Sequence, residues 1–250
     1  MTGLAAAPFA SIDEHLAIDL PGARALFTTR RGGISRGPFE SLNLGLRTDD
    51  ERAHVIANRE RVAALVGIPR ERFAQGRQVH ETTVRRLQEP PDPELELAPA
   101  DGQATSAEGV AAIVLVADCL PIALATPGAV AMLHGGWRGL AAGIVEEGVR
   151  ALRELDGNGP VAAAIGPGAG PCCYEVGEEV HAAFPHDGAE ARNGRALDLK
   201  LIARRELERA GVEEVHDVGI CTMCADPTLF FSHRRDGGVT GRQAGLVWRR

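Results

Sequence analysis

The sequence predicts one α/β domain, and three observations lead there. Apolar runs of strand length occupy 110–117, 122–126 and 129–133, each bounded by turn residues. Segments with helical apolar periodicity alternate with strand-like ones at 50–66, 139–155 and 199–210. The 250 residues are 44% hydrophobic, enough for a substantial core, and no Ser/Gly-rich or Pro-rich linker divides them.

Taken in order, residues 24–29 read as a strand leading into Arg30-Arg31-Gly32-Gly33, where paired glycines permit positive φ. PFESLNLGLRTDD follows as a loop over the surface or into a cleft, with Asn43 among small apolar neighbours. A helix over 50–66 takes Thr48 or Asp49 as cap, sets Val55, Val62 and Leu65 on one side and ends before Gly67. Residues 78–87 alternate in polarity and read as a strand with His80 near its start. Pro90, Pro91, Pro93 and Pro99 mark a loop that ends in Ala100-Asp101-Gly102.

The central strands come next, and Pro127-Gly128 joins two of them as a tight hairpin. In that register Thr126 faces Ala129 and His134 lies opposite Pro121, two positions from Cys119. Strands about 4.8 Å apart, rising about 3.4 Å per residue, place the Cys119 and His134 backbones roughly 7–9 Å apart, a span that two ligands of one metal can bridge. After His134 the sequence GGWRG turns into a helix over 139–155 with Leu140, Ile144, Leu152 and Leu155 on one face. Free N–H groups at that helix start favour an anion such as phosphate, with Arg138 at the same mouth. Strand, glycine loop and helix recur at 161–180. Asp198 caps a helix over 199–210 that Gly211 closes, 212–221 suggests a strand, and a basic loop with Arg234, Arg235 and Arg242 leads to a short final strand.

Composition excludes several classes. A net charge of −7 and pI near 5.6 give no electrostatic reason to expect nucleic acid or an anionic membrane surface. Residues 110–133 carry a single charge, but Asp118, Pro121 and Pro127-Gly128 fit strands and not a spanning helix. The N-terminus lacks both a basic leader and a long apolar core, so the cytoplasm is the expected compartment. In such a chain the five cysteines are expected to bind metal, catalyse or fill core, and the adjacent Cys172-Cys173 is a poor disulfide by geometry.

His80, Cys119 and His134 form the candidate site. Two imidazoles and a thiolate make three protein ligands for Zn2+ and leave a fourth position for water or substrate, as catalytic zinc requires; copper is the alternative ion. The rival is Cys221-Thr222-Met223-Cys224, whose spacing suits a zinc knuckle or redox pair. Without a second Cys-X-X-Cys it reads as structural. His15, His54, His181, His186, His216 and His233 fall in no metal-like spacing.

With those residues in hand, the chain resembles the YfiH family, also called laccase-domain or polyphenol-oxidase-like proteins. The segments that carry the likeness are TTRRGGIS, SLNLG, QVH, ADG, ADCLPI, HGGWRGLAAGI, IGPGAGPCCYEVG, LDLK and RRDGGVTGR, from about residue 24 onward. The resemblance implies a single-domain α/β/α layered fold with a mixed sheet over 1–250, residues 1–20 being a peripheral segment. It implies metal ligands at His80, Cys119 and His134, which would also carry the catalysis. The implied activity is phosphorolysis of adenosine, inosine or methylthioadenosine to base and ribose 1-phosphate, together with hydrolytic deamination of adenosine, in a monomer or homodimer.

The oxidase name fits the residues poorly, since four coppers need many histidines, several as His-X-His, and this chain has eight histidines and no such pair. For purine chemistry Arg138 and Arg30 would offset phosphate charge, Asp118 would protonate the departing purine and Asn43 would hydrogen-bond base or sugar. Two other readings compete: a metal-free hydrolase or deamidase in which His134 activates Cys119 as nucleophile, and a non-catalytic interaction module held together by zinc.

Overall fold

The computed structural model describes residues 6–92, 98–156 and 159–250. In chain order the strands and helices of the first half are β1 (Ala10–Ile12), β2 (His15–Leu20), β3 (Ala23–Phe27), α1 (Arg52–Val66), β4 (Phe73–Ala74), β5 (Val84–Leu87), β6 (Gly102–Thr105), β7 (Ala111–Val116) and β8 (Leu120–Ala125). Then come β9 (Val130–Gly135), α2 (Trp137–Ala141), α3 (Ile144–Asp156), β10 (Ala162–Ile165), α4 (Glu178–Ala182), α5 (Gly188–Ala191), β11 (Arg192–Asn193), β12 (Ala196–Leu197), α6 (Leu199–Arg209), β13 (Glu214–Asp217) and β14 (Gln243–Arg249). Among the described residues two mixed sheets run β1-β2-β3-β14-β7-β4 and β13-β10-β8-β9-β6-β5. In each, an antiparallel centre is flanked by a parallel pair, β7 with β4 in the first, β10 with β13 and β6 with β5 in the second.

The two sheets pack face to face. Strand alternation sends Ala23, Ala25, Ala112, Ala123, Ala125, Ala162 and Ala164 into the space between them, with Phe27, Val114, Met132 and Phe230 filling the gaps. The outer face of the first sheet packs Leu26, Ile113 and Leu246 on Val62 and Ala63 of α1. On the second sheet Leu120, Ile122, Leu124 and Leu133 pack on Ile144 and Leu152 of α3 and Ile202 and Leu207 of α6. The α/β class and helix-covered layering are as expected, and the middle layer is double. Strands apolar on both faces look alike whichever sheet they join, so the sequence does not distinguish one central sheet from two.

Local readings meet mixed outcomes. The β8–β9 hairpin has the expected register, Pro121 opposite His134, and Thr126 N–H donates to Ala129 C=O at 2.9 Å. Asp198 caps α6, accepting from the N–H groups of Lys200 and Leu201. The strand expected over 78–87 is reduced to Val84–Leu87, because the N–H groups of Val79, His80 and Glu81 all turn to the Asp101 carboxylate. The helix expected over 139–155 starts at Trp137 and breaks at Gly143, whose φ of 93° no helix accommodates. Neither Thr48 nor Asp49 caps α1; Glu51 holds that position without a side-chain bond. Residues 15–20 are not peripheral, since β2 is paired to β3 and Leu16 is buried. Residues 93–97 of the proline-rich loop and residues 1–5 lie outside the described residues. No described helix is long and apolar enough to cross a membrane.

Three passages between the sheets place the site. The chain between β4 and β5 carries His80, that between β7 and β8 carries Cys119, and the long return from β13 to β14 spans 218–242. The return meets the second passage where Thr222 Oγ1 and Arg234 N–H donate to the Asp118 carboxylate, at 2.7 and 2.8 Å.

Candidate metal centre

Cys119 stands just before β8, after Asp118, whose φ of 94° turns the chain sharply out of the strand direction. His134 is the fifth residue of β9, and His80 lies on the passage opposite with φ 64°. The ligand atoms of all three fall within 4.8 Å of one another. His80 Nε2 is 3.9 Å from Cys119 Sγ, and the two imidazoles meet edge to face with ring centroids 4.8 Å apart. His80 is exposed, Cys119 half-buried and His134 buried, so the set is open on one side.

One buried carboxylate arranges two of the three. Asp101 Oδ1 is 2.7 Å from His134 Nδ1, which leaves His134 Nε2 for an ion, and the same carboxylate accepts the N–H groups of Val79, His80 and Glu81. Burial works against the Asp101 charge, but the bond from His134 and the N–H groups of Glu81 and Val79 outweigh it and hold the carboxyl down at about 2. Burial likewise opposes ionisation of Cys119, yet the adjoining imidazoles, His134 first, pull the thiol down to about 6. In return the Cys119 charge and the Asp101 bond overcome burial and lift His134 to about 9. A Cβ on Gly136 would lie 2.9 Å from His80 Cδ2 and 3.3 Å from Cys119 Sγ, so only glycine leaves the cluster room.

The three side chains line a cavity of about 520 Å³, a size suited to a small molecule. Its walls are basic and partly apolar: Arg47, Arg52, Arg59, Arg77 and Arg242 stand with Leu46, Leu115, Val116, Ala117 and His233. A larger cavity of about 1050 Å³ between α3 and α6 contains none of the three ligands.

A family model described as multi-copper polyphenol oxidoreductase laccase matches residues 24–250. The purine nucleoside phosphorylase YlmD of Geobacillus stearothermophilus is 38% identical over 250 residues, 92% of this chain and 91% of its own. The purine nucleoside phosphorylase YfiH of Escherichia coli is 36% identical over 236 residues, 91% of this chain and 94% of its own. Among solved structures, the hypothetical protein YfiH of Bacillus licheniformis superposes with a TM-score of 0.90 at 31% identity, covering 98% of this chain and 100% of that one. The chain belongs to the YfiH laccase-domain family.

A metal ion fits the residues of this YfiH-family chain. Nitrogen and sulfur donors converge from three segments, and the ring nitrogen of His134 that would not bind the ion is already taken by Asp101. The four residues expected to hold substrate fare differently. Arg30 stacks on Phe231 at 4.4 Å and donates to the carbonyls of Glu40, Pro227 and Pro38, tying loops together away from the cavity lining. Asn43 is fully buried and saturated, donating to Thr48 and Asp50 and accepting from the N–H groups of Gly45 and Arg242. Asp118 is buried too, and its carboxylate is engaged by Thr222 and Arg234. Arg138 is exposed over Trp137, on a helix of only five residues, so the anion site expected at that helix start has little dipole behind it.

Asp101 and the cavity arginines are what residue patterns missed in this YfiH-family site. Asp101 was visible only as the middle of Ala-Asp-Gly ahead of a strand. The arginines come from three separate stretches, 47–59, residue 77 and the C-terminal return, and each alone looks like a solvated charge.

Proposed function

We propose that this protein is a zinc-dependent purine nucleoside phosphorylase. It splits adenosine and inosine with phosphate into free base and ribose 1-phosphate, and methylthioadenosine into adenine and 5-methylthioribose 1-phosphate, and it also deaminates adenosine hydrolytically. The observation that carries the reading is the open His80–Cys119–His134 set at the base of a cavity lined by five arginines and several apolar side chains. The names of the relatives agree with its phosphorylase part. Zn2+ suits two imidazoles and a thiolate, with copper as the alternative, and free cysteines fit the reducing cytoplasm.

The ion, when bound, supplies a Lewis acid and brings the pKa of a coordinated water towards neutrality. The chain does the rest. Asp101 keeps His134 in one tautomer and orientation. Arg47, Arg77 and Arg242 gather the phosphate and offset its charge, while Leu46, Leu115 and Val116 take the purine face. With Asp118 engaged elsewhere, His233 is the cavity imidazole outside the ligand set and serves as proton donor to the departing base.

Purified protein given adenosine and phosphate yields adenine and ribose 1-phosphate, and His80→Ala abolishes the product. Adenosine turnover by a zinc-free preparation at the full rate would refute the reading. A second reading has its own support, the Cys119 thiol at about 6 beside a His134 that Asp101 orients, which is the arrangement of a Cys-His-Asp nucleophile. It expects activity that survives chelation, tolerates His80→Ala and is lost to thiol alkylation.

A further inference from the structure

A second group of metal-ligating side chains lies outside this cavity. Cys172 and Cys173, on the loop between β10 and α4, meet Cys221 and Cys224, on the turn after β13, and the four sulfurs fall within 4.8 Å of one another. The separations are 3.1 Å for Cys172–Cys224, 2.7 Å for Cys173–Cys224, and 3.6 Å for both Cys172–Cys173 and Cys173–Cys221. The missing partner of Cys221-Thr222-Met223-Cys224 is therefore an adjacent pair and not another Cys-X-X-Cys. β10 and β13 are parallel neighbours, so the segments leaving them run side by side, with Gly168 bridged to Cys221.

We propose that these four cysteines hold a structural zinc ion. Sulfurs at about 2.3 Å around a tetrahedral ion lie about 3.8 Å apart. Cys173 already stands 3.6 Å from Cys172 and from Cys221, and the exposed Cys224, closer to Cys172 and Cys173, is the one that moves outward to admit the ion. Two features shape the pocket for thiolates. Gly170 N–H points at Cys221 Sγ at 3.2 Å, and a Cβ on Gly170 would lie 3.5 Å from the sulfurs of both Cys172 and Cys221. Cys172 and Cys224 are exposed, which gives an ion a way in. Four sulfurs this close share one ion; the irons of a cluster would hold them further apart. Binding needs no oxidant: the thiols release their protons to solvent as the ion takes their place.

The site would brace one wall of the first. Asp118 C=O accepts from Ala169 N–H at 2.7 Å, and Thr222, inside the cysteine turn, donates its hydroxyl to the Asp118 carboxylate. Asp118 directly precedes Cys119, so the ion fastens the two loops between which that ligand is set.

The test is the zinc content of the purified chain by mass spectrometry of the metal. Two ions per chain are expected in the wild type, one in His80→Ala, and one in the double variant C221S/C224S. Cobalt loaded into His80→Ala gives the intense thiolate charge-transfer bands of an all-sulfur site. A wild type with one ion that His80→Ala removes entirely would overturn the proposal. So would intact-mass measurement under non-reducing conditions showing loss of four hydrogens, as two disulfides require. Should C221S/C224S fail to fold, the His80→Ala count and its cobalt spectrum decide alone. None of these readouts depends on phosphorolysis, so the cysteine site can stand or fall apart from the activity.

Discussion

Asp101 does more for the site than any ligand. Its carboxylate takes the His134 ring and three consecutive N–H groups around His80, so it fixes one ligand by its side chain and another by its backbone. Asp101→Asn loses at least one of these bonds and the charge behind His134. Zinc affinity is expected to fall about 10- to 100-fold, read by competition with a chromophoric chelator. Gly136→Ala is expected to weaken zinc by a similar factor through crowding, with the secondary structure intact by circular dichroism. His80, Cys119 and His134 were legible because their residue types are few and hairpin arithmetic brings two of them together. Asn43 misled for a physical reason. A polar residue among apolar neighbours needs partners, and the sequence cannot say that Thr48, Asp50 and the N–H groups of Gly45 and the distant Arg242 provide them all.

Single elements carry their own consequences. β2 buries His15, whose Nδ1 accepts Thr29 N–H at 3.2 Å, and burial drives its pKa down to about 4. The unfolded chain binds a proton there near pH 6.5 and the folded chain does not until about 4. Stability is therefore unaffected above pH 6.5 and is lost as pH falls from there towards 4, by a total on the order of 3 kcal/mol. Urea unfolding between pH 7 and 4.5 checks this, and His15→Gln should flatten the curve. Arg77 directly precedes 78–83, the part of the expected strand that forms none. Arg77→Ala should raise KM for phosphate at least tenfold and leave KM for the nucleoside near its wild-type value, measured by initial rates. Alternation in 78–87 was real but local: Asp101, distant in sequence, claims the N–H groups a ladder would need. The arginines were illegible because their convergence depends on how α1, β4 and the C-terminal return meet.

For the molecule as a whole, the central strands β7, β8 and β9 and their hairpin register could be read ahead of the fold, and the doubling of the sheet could not, since a two-faced apolar strand names no partner. Between the sheets small and large side chains share one layer, the alanines leaving room that Phe27, Met132 and Phe230 fill. A chelator should lower the melting temperature of the zinc-loaded protein by about 5–10 °C, from roughly 2.7 kcal/mol of binding stabilisation at a hundredfold excess over Kd. Hydrogen exchange should quicken first at 78–83 and 117–120. His80 and Cys119 both ride on chain that steps from one layer to the other. An ion held between them would work as a rivet through the sandwich, so a slip of one layer against the other would disarm the proposed catalyst before it opened the core.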